Sequence, residues 1–236
     1  MYNDLPQKIN GKFKGKDIVS LDQFSKKDIE ILFLATSKMR KLVQAKGGSN
    51  LLKGKIMSAL FYEPSSRTFG SFVASIQRLG GGFIPLQGMG NSSVVKGESL
   101  EDTIQTFSSY SDVIVIRHSE VGAATIAASA TRLPVINAGD GIGEHPTQAL
   151  LDLYTIYEKH KKLDNLIGVL AGDIKNGRTA HSLIRGLSIF KKNVLYLLSP
   201  RKIRLSRMDF ENFTKRGIKL IEIENEKNLP KNAHFW

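Results

Sequence analysis

The sequence predicts an α/β protein made of two doubly wound parallel-sheet domains, the second of them incomplete. Three observations carry that expectation. Short apolar runs of strand length alternate with helical patterns along nearly the whole chain. Two polar clusters, Glu63-Pro64-Ser65-Ser66-Arg67-Thr68 and His145-Pro146-Thr147-Gln148, each stand between an apolar run and a helical pattern. The 236 residues exceed the usual size of one domain and suffice for two modest cores. We place the first domain at residues 1–151 and the second at residues 152–236.

Met1–Lys16 is basic and polar, and reads as including a frayed terminus. The apolar spacing of Ile29–Leu42 gives an amphipathic helix, with Ser25 as its N-cap. Ile56–Tyr62 reads as a strand and Ser71–Leu79 as a helix, stopped by Gly80-Gly81-Gly82. Phe83–Leu86 is a short strand, and Gly88–Val95 a loop rich in Gly and Ser. Ser99–Tyr110 reads as helix, Val113–Ile116 as a buried parallel strand and Val121–Ala130 as helix. Val135-Ile136 is a short apolar segment and Gly139–Gly143 a flexible turn; Leu150–His160 is a helix that leads out of the first domain. The second domain opens with the strand Leu166–Asp173, which ends in a Gly-Asp turn. The helix Thr179–Phe190, the strand Val194–Leu198, a basic helix near Arg207–Arg216 and the strand Ile218–Ile223 follow. Asn228–Trp236 leaves an apolar segment where another strand would begin.

The composition narrows the functional classes. No apolar run approaches the roughly 18–20 residues that span a bilayer. Met1–Phe13 lacks the apolar core of a secretory signal, so the cytoplasm is the default compartment. With no cysteine there are no disulfides or thiolate metal sites, and five scattered histidines without metal spacing argue against a metal centre. The net charge of +12 invites a nucleic-acid reading. Residues 151–236 hold 17 basic and 9 acidic residues, a surplus of +8. They group as Lys159-His160-Lys161-Lys162, Lys191-Lys192 and Arg201-Lys202-Ile203-Arg204, interleaved with the apolar positions of ordinary elements. No aromatic stacking motif, zinc-finger spacing or RNA-binding signature accompanies them. Solvated faces, or a basic field drawing anionic substrates, account for the charge without nucleic acid.

The two polar clusters describe an anion pocket. Each falls where a strand hands over to a helix, so hydroxyls, backbone N–H groups and Arg67 converge on a helix N-terminus. That end carries free N–H donors and about half a positive charge. Arg67 adds a forked, charge-assisted contact. Two such mouths on one sheet imply one ligand.

Four motifs, in order, resemble the aspartate carbamoyltransferase family, its catalytic chains in particular. They are Phe61-Tyr62-Glu63-Pro64-Ser65-Ser66-Arg67-Thr68; Lys96-Gly97-Glu98-Ser99-Leu100-Glu101-Asp102-Thr103; Val135–Gly141 with His145–Asp152; and Gly172-Asp173-Ile174-Lys175-Asn176-Gly177-Arg178-Thr179-Ala180-His181-Ser182-Leu183. The resemblance implies a carbamoyltransferase-like fold and attack of the α-amino group of L-aspartate on carbamoyl phosphate, giving N-carbamoyl-L-aspartate and phosphate, with no metal or organic cofactor. It implies that Ser65, Ser66, Arg67 and Thr68 bind the phosphate, with Thr68 near the carbonyl oxygen. Arg117 and His145 polarise that oxygen, and Gln148 holds the carbamoyl amide. Thr68, Arg117 and His145 are then the catalytic set, and Lys96 and Arg178 bind aspartate. Ser92 and Lys96 are donated to a neighbouring subunit's site, which implies a homotrimer with shared active sites. Asp173 and His181 read as structural. Taken singly, Arg117 would be a surface arginine after a strand and Lys96 a solvated lysine; the motifs around them give them roles.

The chain departs from the family pattern at three places. Ser66 stands where threonine is usual and keeps the hydroxyl, whereas Ser119 stands where proline is usual, which would loosen the turn presenting Arg117. The chain ends at Trp236, before the family's loop carrying a further arginine and glutamine for aspartate and before its terminal helix. We therefore expect a fragment with an intact carbamoyl phosphate half, half an aspartate site and poor turnover, with unpaired strand edges in the second domain. The competing readings are an ornithine carbamoyltransferase-like enzyme, which an arginine at 178 disfavours, and a non-catalytic carbamoyltransferase-like subunit.

Overall fold

In the computed structural model, which describes residues 6–87 and 97–236, Ile56–Phe61, Gly82–Gln87, Val113–His118 and Val135–Asp140 form four parallel strands, β1 to β4. The chain divides into two compact units, Met1–Pro146 and Thr147–Trp236. In the first, the strand order is β2-β1-β3-β4. The helices are α1 (Lys26–Lys46) ahead of the sheet, α2 (Ser66–Arg78) after β1, α3 (Leu100–Ser108) before β3 and α4 (Ala123–Ser129) after it.

Strand alternation sorts the side chains into two cores. Leu60, Ile114, Ile116 and Val135 pack on one face with Ile104 of α3 and Ala124 and Ala127 of α4. Met57, Ala59, Phe61, Val115 and Ala138 pack on the other with Ile76 of α2, flanked by Phe69, Phe72 and Phe83. Phe61 and Phe69 meet edge to face, 5.2 Å between centroids. Each fully buried Leu or Ile contributes roughly 1.5–3 kcal/mol relative to exposure. The central strands, covered on both faces, are therefore almost wholly apolar, with buried Ser58 as the polar exception in β1, until they reach their C-terminal ends.

Ser25 caps α1 through Asp28 in a capping box, and Gly47 ends the helix in the left-handed region (φ 72°). Helix α2 begins at Ser66, five residues ahead of the apolar periodicity, because Ser66, Arg67 and Thr68 need no core partner in the first turn. The polar cluster is thus part of the helix. Strand β4 is six residues long where the sequence suggested two apolar positions. Its middle is polar yet satisfied: buried Asn137 donates from Nδ2 to the Val19 carbonyl and accepts from the Gly139 N–H. Pro85 is tolerated in β2 because that strand is at the sheet edge. The opposite edge is covered by Ile18, which bridges Ile136 in parallel.

In the second unit α5 (Pro146–His160), which begins one residue ahead of it, leads to β5 (Ile167–Ala171), α6 (Arg178–Leu187), β6 (Val194–Leu198), α7 (Arg207–Lys215) and β7 (Lys219–Ile223). Its sheet is parallel, in the order β5-β6-β7. Buried Asn193 stitches the connections together, donating to the Leu163 and Leu187 carbonyls and accepting from the Leu166 N–H. A β-carbon on Gly186 would stand 2.8 Å from Leu153 Cδ1, so α6 approaches α5 closely there. The final apolar segment is not left idle. Phe235 forms a parallel bridge to Gly168, with the Val169 N–H donating to the Phe235 carbonyl, and so covers the outer edge of β5. Trp236 beside it is 72% exposed.

Candidate functional site

In the first unit the chain steps from β1 out to β2 and then returns to the other side of β1 as β3. Helices packed on opposite faces diverge at such a reversal and leave a crevice beyond the strand C-termini, where α/β sheets bind ligands. Phe61 and Arg117 are in register across this reversal, and the Tyr62 N–H donates to the Arg117 carbonyl at 2.8 Å. The described candidate residues of this unit lie at the strand ends, loops and helix starts of this mouth.

Arg117 follows the alternation of Val113 and Val115 and so belongs to the α2 side of the sheet. Its residue is only 8% exposed. A buried guanidinium requires partners. Nη2 pairs with Glu63 Oε2 at 2.9 Å, and Nη1 donates to the Ala138 carbonyl at 3.2 Å. Glu63 opens the first polar cluster, so this ion pair ties the cluster to the end of β3. Ser65 occupies the N-cap position of α2, but its hydroxyl makes no capping bond. The helix end therefore has an uncapped, positively polarised first turn. Ser66 and Arg67 are exposed there, Ser65 and Thr68 partly buried.

The turn after Arg117 is closed rather than loose, despite Ser119. The Glu120 N–H donates to His118 Nδ1 at 3.0 Å, and the Gly141 N–H donates to the His118 carbonyl at 2.8 Å. Gly141 has φ 54° and faces the Ser119 carbonyl so closely that a β-carbon would collide with it. The His118 ring packs against Tyr62 in a tilted contact, with centroids 4.8 Å apart and the planes at 50°. Burial pushes the Tyr62 hydroxyl above its ordinary pKa.

His145 is 5% exposed and ends the loop from β4. Asp140 organises that loop, accepting from the Glu144 N–H through Oδ1 at 2.7 Å and from the Gly122 N–H through Oδ2 at 2.9 Å. The Glu144 carboxylate in turn accepts from Ser20 Oγ at 2.7 Å and from the Leu21 N–H at 3.0 Å. The N-terminal segment thus pins the residue next to His145. Gln148 lies in the first turn of α5, where Nε2 donates to Asp152 Oδ1 at 2.9 Å. Burial raises the Asp152 carboxyl above the ordinary aspartate range, and the Gln148 bond opposes that rise.

In the second unit, Arg178 opens α6 behind Gly177. A β-carbon on Gly177 would approach the Asp173 carbonyl to 2.5 Å. Asp173 closes this turn by accepting from the Asn176 N–H and Nδ2, each at 3.0 Å, which holds its carboxyl below the usual range. His181 Nε2 lies 2.7 Å from the Ile174 carbonyl. Both residues serve the turn, as expected. Among the described residues there is no cluster of metal-ligating side chains, and no helix is long and apolar enough to cross a membrane.

The structure thus brings Ser65, Ser66, Arg67, Thr68, Arg117 and His145 to the loops and helix starts at one end of one sheet. Ser92 and Lys96 lie outside the described residues. Sequence reasoning missed Glu63, Asp140, Glu144 and Asp152 as working residues. The signal for Glu63 was available: an arginine at the end of a wholly apolar strand needs a carboxylate, and Glu63 follows the adjacent strand.

A family model described as the carbamoyl-P binding domain of aspartate/ornithine carbamoyltransferase matches residues 16–158. The chain is 46% identical over 220 residues to an aspartate carbamoyltransferase catalytic subunit of Thermococcus kodakarensis, spanning 93% of this chain and 71% of that protein. It superimposes on the catalytic subunit of M. jannaschii aspartate transcarbamoylase with TM-score 0.85 and 41% identity, over 92% of this chain and 71% of the other. A Trypanosoma cruzi aspartate transcarbamoylase in complex with carbamoyl phosphate and aspartate matches with TM-score 0.84 and 40% identity, over 93% and 70%.

Proposed function

This chain belongs to the aspartate carbamoyltransferase family, and from that membership we propose that its first unit binds carbamoyl phosphate in the crevice between β1 and β3 for transfer to L-aspartate. The observation that carries the reading is the buried Arg117, presented at the sheet reversal between Glu63 and the Ala138 carbonyl, one strand away from the uncapped start of α2. Such an arrangement suits a small dianion bearing a carbonyl.

In this reading the phosphate takes the N–H groups of the first turn of α2, the hydroxyls of Ser65, Ser66 and Thr68, and the Arg67 fork. The carbonyl oxygen lies toward Thr68, Arg117 and His145, and the carbamoyl –NH2 toward Gln148. When the aspartate amine attacks the carbonyl carbon, negative charge moves onto that oxygen. Donors already fixed at the developing charge lower the barrier because nothing must reorganise. The ion pair and the Asp140–Glu144 framework supply that fixity for Arg117 and His145. The C–O bond to phosphate then breaks as the former amine nitrogen gives up a proton, which the departing phosphate takes, and the resulting hydrogen phosphate dianion stays on donors that already hold it.

Residues 1–151 form the carbamoyl phosphate domain in this proposal and residues 152–236 the aspartate domain. Arg178 meets an aspartate carboxylate as a bidentate fork, which suits a dicarboxylate better than a cationic ornithine side chain. Ser92 and Lys96 serve the site of a neighbouring subunit in a homotrimer.

The test is calorimetric titration of the chain with carbamoyl phosphate, repeated with Arg67→Ala, followed by an assay for carbamoyl-aspartate on adding aspartate. Saturable binding that the substitution abolishes supports the pocket. A folded chain that takes up no carbamoyl phosphate overturns it.

A further inference from the structure

The contact between Gln148 and Asp152 has a chemical consequence for recognition. An amide side chain has two unlike ends, an N–H2 donor and a carbonyl acceptor, and what it recognises depends on which end is turned toward the ligand. One helical turn after Gln148, the Asp152 carboxylate accepts from Gln148 Nε2 at 2.9 Å. A carboxylate accepts, so in this geometry the amide nitrogen is at Asp152 and the other end is the carbonyl Oε1. Resting on the pocket reading above, we propose that Asp152 is a positioning residue that sets the Gln148 amide so that its carbonyl reads the –NH2 of a carbamoyl group and discriminates against acyl phosphates lacking that N–H.

Two further features favour this role. The pair is i,i+4 on α5, the spacing at which helical side chains meet, so the contact needs no distortion of the helix. Asp152 is also partly withdrawn from water, and its carboxyl is raised by burial and drawn back by Gln148. A desolvated carboxylate holds its amide donor more firmly than an exposed one does.

The consequence is selectivity, a quantity that a merely structural aspartate would not move. The experiment is titration of the wild-type chain, Asp152→Leu and Asp152→Asn with carbamoyl phosphate, with acetyl phosphate, which carries a methyl in place of the –NH2, and with inorganic phosphate. In the wild type, carbamoyl phosphate should be preferred over acetyl phosphate. Asp152→Leu should reduce that preference by roughly 5–30-fold, the value of one hydrogen bond at a partly buried site, and leave inorganic phosphate affinity within twofold. Asp152→Asn keeps an acceptor oxygen and should restore part of the preference. If both variants retain the wild-type preference, or lose all three ligands in equal proportion, Asp152 does not position the amide and the inference is overturned. A wild-type chain that fails to bind carbamoyl phosphate gives a different result, overturning the pocket reading itself.

Discussion

In the first unit the chain runs from β1 outward to β2 and comes back on the other side of β1 as β3, a full strand. In the second it runs β5, β6, β7 in one direction, and what lies on the other side of β5 is a single bridge, Gly168 to Phe235. Both units place a polar turn and a helix start behind their first strand, Ser65–Thr68 in one and Gly177-Arg178 in the other. They differ in what flanks it. Arg117 comes from a strand paired on both sides, and it is buried with a carboxylate and a carbonyl to hold it. Arg178 stands at a helix start beside a strand whose outer neighbour is one residue pair, and it is half-buried. Strands hydrogen-bonded on both sides keep Arg117 out of water among fixed partners, whereas Arg178 stays in partial contact with solvent.

The sharpest way to break this comparison is to remove the two arginines separately. Arg117→Ala should weaken carbamoyl phosphate binding by about 100-fold, because a desolvated charged donor is lost from an anion site. Arg178→Ala should change it less than twofold. Equal losses in calorimetry would show that the first unit does not hold the ligand by itself.

The bridge in the second unit can be attacked next. A β-carbon on Gly168 collides with the Phe235 ring, so Gly168→Ala should cost about 1–3 kcal/mol in that unit, as overpacking does. Trp236 is the chain's one tryptophan, so its fluorescence in a urea titration reports the loss. Phe235→Ala in the same chain should recover much of it, and carbamoyl phosphate affinity should be unchanged throughout.

In the first unit, Ser20→Ala removes one charge-assisted bond to Glu144. The expected cost is about 1–2 kcal/mol by circular dichroism, with a several-fold loss of carbamoyl phosphate affinity as the His145 loop relaxes. A stability loss without any change in affinity would mean that the N-terminal segment serves the fold alone.

The smallest effect concerns Asp112, which accepts from Lys55 Nζ at 2.7 Å and from the Ile56 N–H at 2.9 Å at the start of β1. The Lys55 bond, then the Ile56 bond, hold its carboxyl below the ordinary value. A depressed carboxyl pKa stabilises the folded state above the unfolded-state pKa of about 3.9, and that contribution disappears as pH falls through the folded-state value. The group is largely solvated, so the pair is worth under about 1 kcal/mol. Asp112→Asn should therefore be slightly less stable than wild type at neutral pH, and the gap should close on acidification below pH 4. A gap that persists at pH 2 would assign the effect to packing instead.

Much of the site was legible in the chain because each cluster is contiguous. Ser65–Thr68 and His145–Gln148 lie within single strand-to-helix junctions, and their chemistry follows from residue type and from the properties of a helix N-terminus. The N-cap at Ser25 was legible for the same reason, since a capping box is a contact three residues long. Strand β4 was not, because Asn137 and Gly139 break the apolar pattern: Asn137 donates to the carbonyl of Val19, which is remote in sequence, and accepts from the Gly139 N–H. Ser119 was read as loosening the turn of Arg117, yet that turn is closed by Gly141, brought in from the end of β4.

The sequence by itself determined the α/β class, the alternation of elements, the two polar mouths and the arginine at the end of β3. These depend on periodicity and on neighbours a few residues apart. Only the tertiary structure decided that Glu63 is the carboxylate for Arg117, that Glu144 is anchored on Ser20, and that Phe235 closes the edge of β5 over Gly168. Each joins residues separated by tens to more than a hundred positions, and such pairings depend on strand order and register, which local propensity leaves open until the sheets form.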